Sequence, residues 1–102
     1  MKEMISVLII EPKKAPYVKK VKNDLYSLQQ IVGGYIETVT IADNVCVVCN
    51  EDGRLMGLSD NCIICGVNFC GTVFICSVEG DEFCDVPGWV CDNSDLILRW
   101  EK

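Results

Sequence analysis

The chain has 102 residues, of which 50% are hydrophobic and 24% charged, with a formal net charge of −6. This length predicts one domain, residues 1–102, and the hydrophobic fraction excludes intrinsic disorder. The absence of histidine excludes Ser/His and Cys/His catalysis and His-metal sites, and the acidity argues against direct nucleic-acid binding.

The first third of the chain predicts two strands and one helix. Ile5–Ile10 is too short for the apolar region of an export signal or for a membrane span, so we interpret it as a buried strand of a cytoplasmic protein. A polar connection follows, with an extended piece at Tyr17–Val21. Asn23 or Asp24 caps a helix with apolar residues at helical spacing, and Gly33-Gly34 ends it.

The remainder predicts further strands. Strands are expected at Tyr35–Ile41 and Val45–Cys49, with an Asp-Gly hairpin turn leading to a partner strand, Leu55–Leu58. Ser59–Cys70 is expected to be irregular, and Gly71–Val78 to be a strand that Phe83–Val86 pairs with. Asp95–Trp100 makes a final short strand or helical turn. The fold class predicted is α+β, an antiparallel sheet with one main helix and a cysteine-rich zinc loop.

Four segments occur in an order that is familiar: VLIIEP, LQQIVGGYIE, VCVVCNEDGRLMGL followed by Asn61, and GTVFICSVEGDEF. Together they resemble the domain-of-unknown-function family 3846 of Gram-positive bacteria, their phages and conjugative elements. The resemblance covers the chain to about Phe83. It implies an α+β fold and a mobile-element setting inside a bacterial host cell, and it implies no activity.

The segment after Asn61 departs from that family because it reads CIICGVNFC, and Cys91 follows in an atypical tail. A metal site there would be an addition to the family scaffold. A small, acidic, cysteine-rich chain is also similar in type, although not in motif, to the zinc-carrying anti-CRISPR inhibitors.

Two Cys-x-x-Cys pairs suggest a four-thiolate zinc site. Cys46 and Cys49 lie on a predicted strand, where a separation of three residues places them on opposite faces. In the predicted strand path, the strands that contain Cys46 and Cys76 run in the same direction. This path brings four other thiols to one edge of the sheet. The structural zinc ligands predicted are Cys62, Cys65, Cys70 and Cys91, with Cys46 and then Cys84 in reserve.

Two alternatives for the cysteines stay open. All eight can be small apolar residues of a reduced core, since free cysteine is among the most buried residue types. A disulfide or redox pair is the other alternative, although neither Cys-x-x-Cys pair opens a predicted helix, as a redox motif requires.

Charge is unevenly distributed, with a balance of +4 over residues 1–22 and −10 over residues 23–102. The acidic part is either an ordinary solvated surface or a docking face for a basic partner. Trp89 and Trp100 flank part of it and either anchor a partner or pack over the sheet. The partner-binding residues predicted are Asp81, Glu82, Asp85, Asp92 and Asp95.

These observations favour a monomeric, non-enzymatic counter-defence protein, a zinc-stabilised anti-CRISPR. It would bind a host type II RNA-guided nuclease, whose nucleic-acid channel is positively charged, and block target DNA loading. The alternative is a binding module, or sponge, for nucleotide immune signals, held by the lysines of Lys13–Lys22. A zinc-ribbon nucleic-acid binder, which the acidity disfavours, and a host structural protein are the remaining interpretations.

Overall fold

A computed structural model describes residues 3–94 and 98–100. These residues form short strands and two helices. In chain order the elements are β1 (Met4–Ile10), β2 (Tyr17–Lys22), α1 (Leu25–Val32), β3 (Ile36–Ala42), β4 (Val45–Asn50), β5 (Asp60–Ile64), β6 (Val67–Cys70), β7 (Val73–Glu79), β8 (Glu82–Cys84), α2 (Gly88–Asp92) and β9 (Leu98–Trp100).

The central antiparallel sheet has the strand order β2-β1-β7-β4-β3, and β8 pairs with β7 beyond the end of β1. Its inner strands are apolar on both faces, and alternation along each strand divides their side chains between two core clusters. In β1, for example, Ile5, Val7 and Ile9 belong to one cluster, whereas Leu8 and Ile10 belong to the other. A sheet of this composition needs a covering layer on each face.

Helix α1 covers one face through Leu28 and Val32. The other face is covered by a second antiparallel sheet, β6-β5-β9, together with α2, which contributes Val90. The structure therefore confirms an α+β fold built on an antiparallel sheet with one main helix, and α2 adds a second helix of five residues.

The local signals around α1 are confirmed. Asp24 is the N-cap, and its Oδ1 accepts a hydrogen bond from the Ser27 backbone N–H at 2.7 Å. Gly33 ends the helix in the left-handed conformation, with φ 79°, which costs glycine little because it has no Cβ. The extended piece beginning at Tyr17 and the pairing of Phe83 with β7 are also confirmed.

Two predictions about the middle of the chain are wrong. Leu55–Leu58 is not a strand paired with β4, because β3 and β7 occupy the two sides of β4. Ser59–Cys70 is not irregular, because it contains the β5–β6 hairpin. Cys65 and Gly66 form its two-residue turn with φ of 49° and 83°, the type I′ pattern that favours tight hairpins.

The predicted strand path is also wrong, so several cysteines lie elsewhere in the fold than the sequence predicted. Strands β4 and β7 are antiparallel neighbours, with Cys46 directly opposite Cys76, because the chain leaves the central sheet after β4 and returns beside it.

Among the described residues, no helix has the length and apolar character needed to span a membrane.

Candidate functional site

The four predicted zinc ligands lie in different environments. Cys62 is buried in the core on β5, whereas Cys65 is exposed at the tip of the β5–β6 hairpin. Cys70, at the end of β6, is half-buried and its Sγ donates to Asp60 Oδ1 at 3.6 Å. Cys91, on α2, packs half-buried against the core.

Within residues 3–94 and 98–100, no three or more Cys, Asp or Glu side chains are grouped so that they could hold a metal ion. The zinc site on Cys62, Cys65, Cys70 and Cys91 therefore stays a prediction of the sequence. Elemental analysis of the purified protein tests it, since a four-thiolate site requires about one zinc per chain. A metal-free protein whose melting does not respond to a chelator would contradict it.

The reserve ligand Cys46 lies in the sheet interior, paired with Cys76. Cys46 and Cys49 occupy opposite faces of β4, as predicted, because they belong to different core clusters. The hydrogen bond to Cys46 and burial both raise the pKa of Cys76, so Cys76 holds its proton at neutral pH. Cys84 is half-buried on β8, beside the end of β7.

The predicted docking acids that the structure describes differ in exposure. Asp81 and Asp92 are exposed and Glu82 is half-buried. Asp85 is half-buried and serves the fold, since its Oδ1 accepts the Ser6 backbone N–H at 2.8 Å. Asp95 lies outside the described residues.

Asp81 and Glu82 line a groove beside the start of α1, with Asp24 and the exposed Leu25. The negative charge there is partly offset. Asp24 already caps α1, and its Oδ2 lies 3.8 Å from Lys22 Nζ on the neighbouring strand. Trp89, on α2, is 48% exposed, and the side chain of Trp100 lies outside the described part of the structure.

Opposite charges mark the two edges of the central sheet. The β2 edge carries three exposed lysines, Lys19, Lys20 and Lys22. The other edge, β3, carries Glu37, and the loop after its neighbour β4 carries Glu51 and Asp52, all exposed. Lysines on an edge strand also hinder strand addition by another chain.

A cleft of about 260 Å³ lies at the acidic edge, which we call the acidic cleft. In the part of the chain that the structure describes, its lining carboxylates are Glu37, Glu51 and Asp52, and its lining cation is Arg54. Its apolar lining includes Val39, Leu55, Val67 and Phe69. The cleft therefore lies between the ends of β3 and β4, strand β6, and the β4–β5 loop (residues 51–59), with a formal charge of −2.

Asn50, the last residue of β4, fixes the start of this loop. It is buried, its Nδ2 donates to the Val32 carbonyl of α1 at 3.1 Å, and its Oδ1 accepts the Asp52 N–H at 2.8 Å. Further along, the Met56 N–H donates to the Asp52 carbonyl at 2.9 Å, and the Leu58 N–H donates to the Gly53 carbonyl at 3.0 Å. These bonds give the loop a defined shape without a strand partner.

Gly34 makes room for that asparagine. A Cβ at this position would lie 2.8 Å from Asn50 Nδ2, closer than side chains approach. The two glycines after α1 therefore have separate roles: Gly33 adopts the left-handed conformation, and Gly34 admits the side chain that holds the loop.

A second depression shares Asn50 and Asp52 with the acidic cleft and lies on the α1 side of the loop. Tyr35 and Met56 line it, and these side chains are 70% and 55% exposed. Leu55, on the acidic-cleft side, is 89% exposed. Exposed apolar side chains thus lie on both sides of a loop that begins with two acidic residues.

Cys49 lines the acidic cleft, and this environment shifts the pKa of its thiol. Its Sγ donates to the Glu37 carbonyl at 3.5 Å, and burial, with the charge of Glu37, raises the Cys49 pKa to about 11 from 9.0. Both influences disfavour a thiolate at this position.

This raised pKa predicts alkaline destabilisation. Between pH 9.0 and about 11 the unfolded chain loses the Cys49 proton whereas the folded chain retains it. The contribution of Cys49 to the free energy of unfolding is complete below pH 9.0. It is lost as pH rises toward about 11, at no more than about 1.4 kcal/mol per pH unit. The free energy of unfolding, measured with urea across this pH range, should decline less steeply with pH for Cys49→Ala than for the parent. Equal slopes for the parent and Cys49→Ala would contradict the pKa.

The acidic cleft could not be predicted from the sequence because Glu37 is distant along the chain from Glu51 and Asp52. Glu37 lies near the start of β3, so most of β3 and all of β4 separate it from Asp52, and Glu51 and Asp52 fall within the predicted hairpin turn. The available signal was Asn50, an amide that ends an apolar strand, but only its burial shows that it ties the loop to α1.

These features define a small α+β protein whose central antiparallel sheet is covered by a helix on one face and by a hairpin-based sheet on the other. The chain belongs to the family DUF3846, a domain of unknown function, whose model matches residues 3–96. No curated protein matches the chain. No solved structure matches it either.

Proposed function

We propose that this protein is a non-enzymatic counter-defence module of a phage or mobile element. In the cytoplasm of a bacterial host it binds, as a monomer, the positively charged nucleic-acid channel of a type II RNA-guided nuclease and excludes target DNA. Occupying a channel requires no bond to be made or broken, so the function depends on shape and charge.

The observation that carries the proposal is the separation of charge across the central sheet. Lysines occupy the β2 edge, whereas Glu37, Glu51 and Asp52 lie at the other edge. Such a dipolar distribution orients a small protein as it approaches a basic surface and accelerates their association. A net charge of −6 adds long-range attraction to the same partner.

Competition for target DNA tests the proposal. Guide-loaded type II nuclease is mixed with labelled target duplex and increasing amounts of the purified protein, and bound duplex is measured. We expect target binding to fall as the protein is added, and the protein–nuclease complex to weaken at high salt. An unrelated acidic protein of similar size and charge is the control for general polyanion effects. Undiminished target binding at saturating protein would contradict the proposal.

The nucleotide sponge is the second candidate, and the strand geometry disfavours it. Phosphate capture needs converging cations, but alternation along β2 places Lys19 on the face of the buried Val21, and Lys20 and Lys22 on the other face. Lys14 lies 3.9 Å from Glu11, which offsets its charge. Stabilisation by cyclic nucleotides in a thermal-shift screen would favour the sponge over nuclease binding.

A further inference from the structure

Two grooves combine carboxylates with apolar side chains, and their surroundings differ. The groove at Asp81 and Glu82 includes Asp24, whose carboxylate already caps a helix and lies beside Lys22. The acidic cleft lies at the sheet edge farthest from the lysines of β2. Among the residues that the structure describes, each groove has three carboxylates and one nearby cation, Arg54 in the acidic cleft and Lys22 beside the other groove, so formal charge does not separate them. The acidic cleft is distinguished by lying away from the β2 lysines, whose charge opposes an approaching cation.

The lining of the acidic cleft matches the chemistry of one amino-acid side chain. Arginine has an apolar stem and a planar guanidinium group that pairs with carboxylates through two hydrogen bonds. Val39, Val67 and Phe69 offer apolar surface for the stem, and Glu37, Glu51 and Asp52 offer carboxylates for the guanidinium group. The volume of about 260 Å³ lies below the ~300–1,000 Å³ typical of small-molecule sites, which favours a single side chain as the occupant.

The rim of the acidic cleft resembles a protein interface in composition. Leu55 is 89% exposed on the rim, and Tyr35 and Met56 are exposed across the loop. Tyrosine, methionine and arginine are enriched in interfaces, and the tyrosine ring also attracts guanidinium groups. Apolar contacts around a central charge pair exclude water and strengthen it.

We propose that the acidic cleft, together with the exposed apolar residues of the β4–β5 loop, is the docking surface, and that it receives an arginine side chain flanked by apolar residues on a nucleic-acid-binding partner protein. This assignment rests on the proposed function and gives its contact surface. It moves the docking site from the groove at Asp81 and Glu82 to the acidic cleft.

The first test uses a short peptide of alternating arginine and leucine as the probe. The ¹⁵N-labelled protein is titrated with this peptide and, as a control, with a peptide in which lysine replaces arginine. We expect amide shifts at residues 35–39, 49–56 and 67–70, and weaker binding of the lysine peptide because lysine cannot pair bidentately. Shifts confined to residues 79–85, or no shifts at all, would overturn the assignment.

Matched variants make the test quantitative. Glu37→Gln with Asp52→Asn alters two exposed side chains and preserves their shapes, and it should weaken peptide binding about tenfold or more. The control, Asp81→Asn with Glu82→Gln, removes the same charge from the other groove and should bind the peptide as the parent does. Equal losses in the two double variants would show that only net charge matters and would overturn the assignment.

The two proposals fail separately. If the nuclease binds the parent protein and the Glu37→Gln with Asp52→Asn variant with the same affinity, the docking surface is wrong and the function stands. If the peptide binds in the acidic cleft but the nuclease binds target DNA normally, the function is wrong and the cleft has another arginine-bearing partner.

Discussion

Replacing Asn61 with alanine is expected to lower the free energy of unfolding by about 2–4 kcal/mol. Asn61 is buried at the start of β5, and its Nδ2 donates to the Ile10 carbonyl at 2.8 Å and to the Gly71 carbonyl at 2.7 Å. These bonds join the end of β1 to the segment between β6 and β7. Their removal leaves two carbonyls without this donor in a site that excludes water.

Urea unfolding measures this loss, and Asn68→Ala is the matched control because Asn68 is exposed on β6. We expect the control to change stability by no more than about 0.5 kcal/mol. An Asn61→Ala variant as stable as Asn68→Ala would show that the amide does not connect the two sheets.

Replacing Asn50 with alanine is the second substitution of large expected effect, because it acts on both stability and binding. It removes the hydrogen bonds to the Val32 carbonyl and from the Asp52 N–H, and we expect a loss of about 2–3 kcal/mol. The β4–β5 loop then loses its attachment to α1, and the backbone of Asp52 loses the hydrogen bond that holds it beside Asn50. Binding of the arginine–leucine peptide should fall about tenfold.

Asn61→Ala separates the two effects of Asn50→Ala, since the hydrogen bonds it removes run to the Ile10 and Gly71 carbonyls and not to the part of the loop that lines the acidic cleft. Under conditions in which both variants remain folded, Asn61→Ala should bind the peptide like the parent and Asn50→Ala should not. Equal peptide affinities for the two variants would show that the loop does not shape the acidic cleft.

The elements whose signals are local could be predicted from the sequence. Asp24 and Gly33 delimit α1 through bonds within a few residues, and the apolar run of β1 identifies a buried strand wherever it pairs. The opposite orientation of Cys46 and Cys49 followed from the period of a strand alone.

The pairing of strands could not be predicted because it depends on distant segments. The Asp-Gly after Cys49 is a strong hairpin signal, yet β3 and β7 fill both sides of β4 and leave no position for Leu55–Leu58. This one error reversed the relative direction of β4 and β7 and placed Cys46 far from Cys76. The acidic cleft depends in part on the same long-range arrangement. The β3–β4 hairpin places Glu37 beside the start of the loop, but the lining from Val67 and Phe69 requires β6 to pack there.

The affinity of the guide-loaded nuclease for the parent protein and for the two charge-matched double variants tests the proposed function and its docking surface together. We predict binding by the parent, a loss of about tenfold or more for Glu37→Gln with Asp52→Asn, and parent-like affinity for Asp81→Asn with Glu82→Gln. The opposite ranking of the two variants, or no binding by the parent, would contradict this prediction.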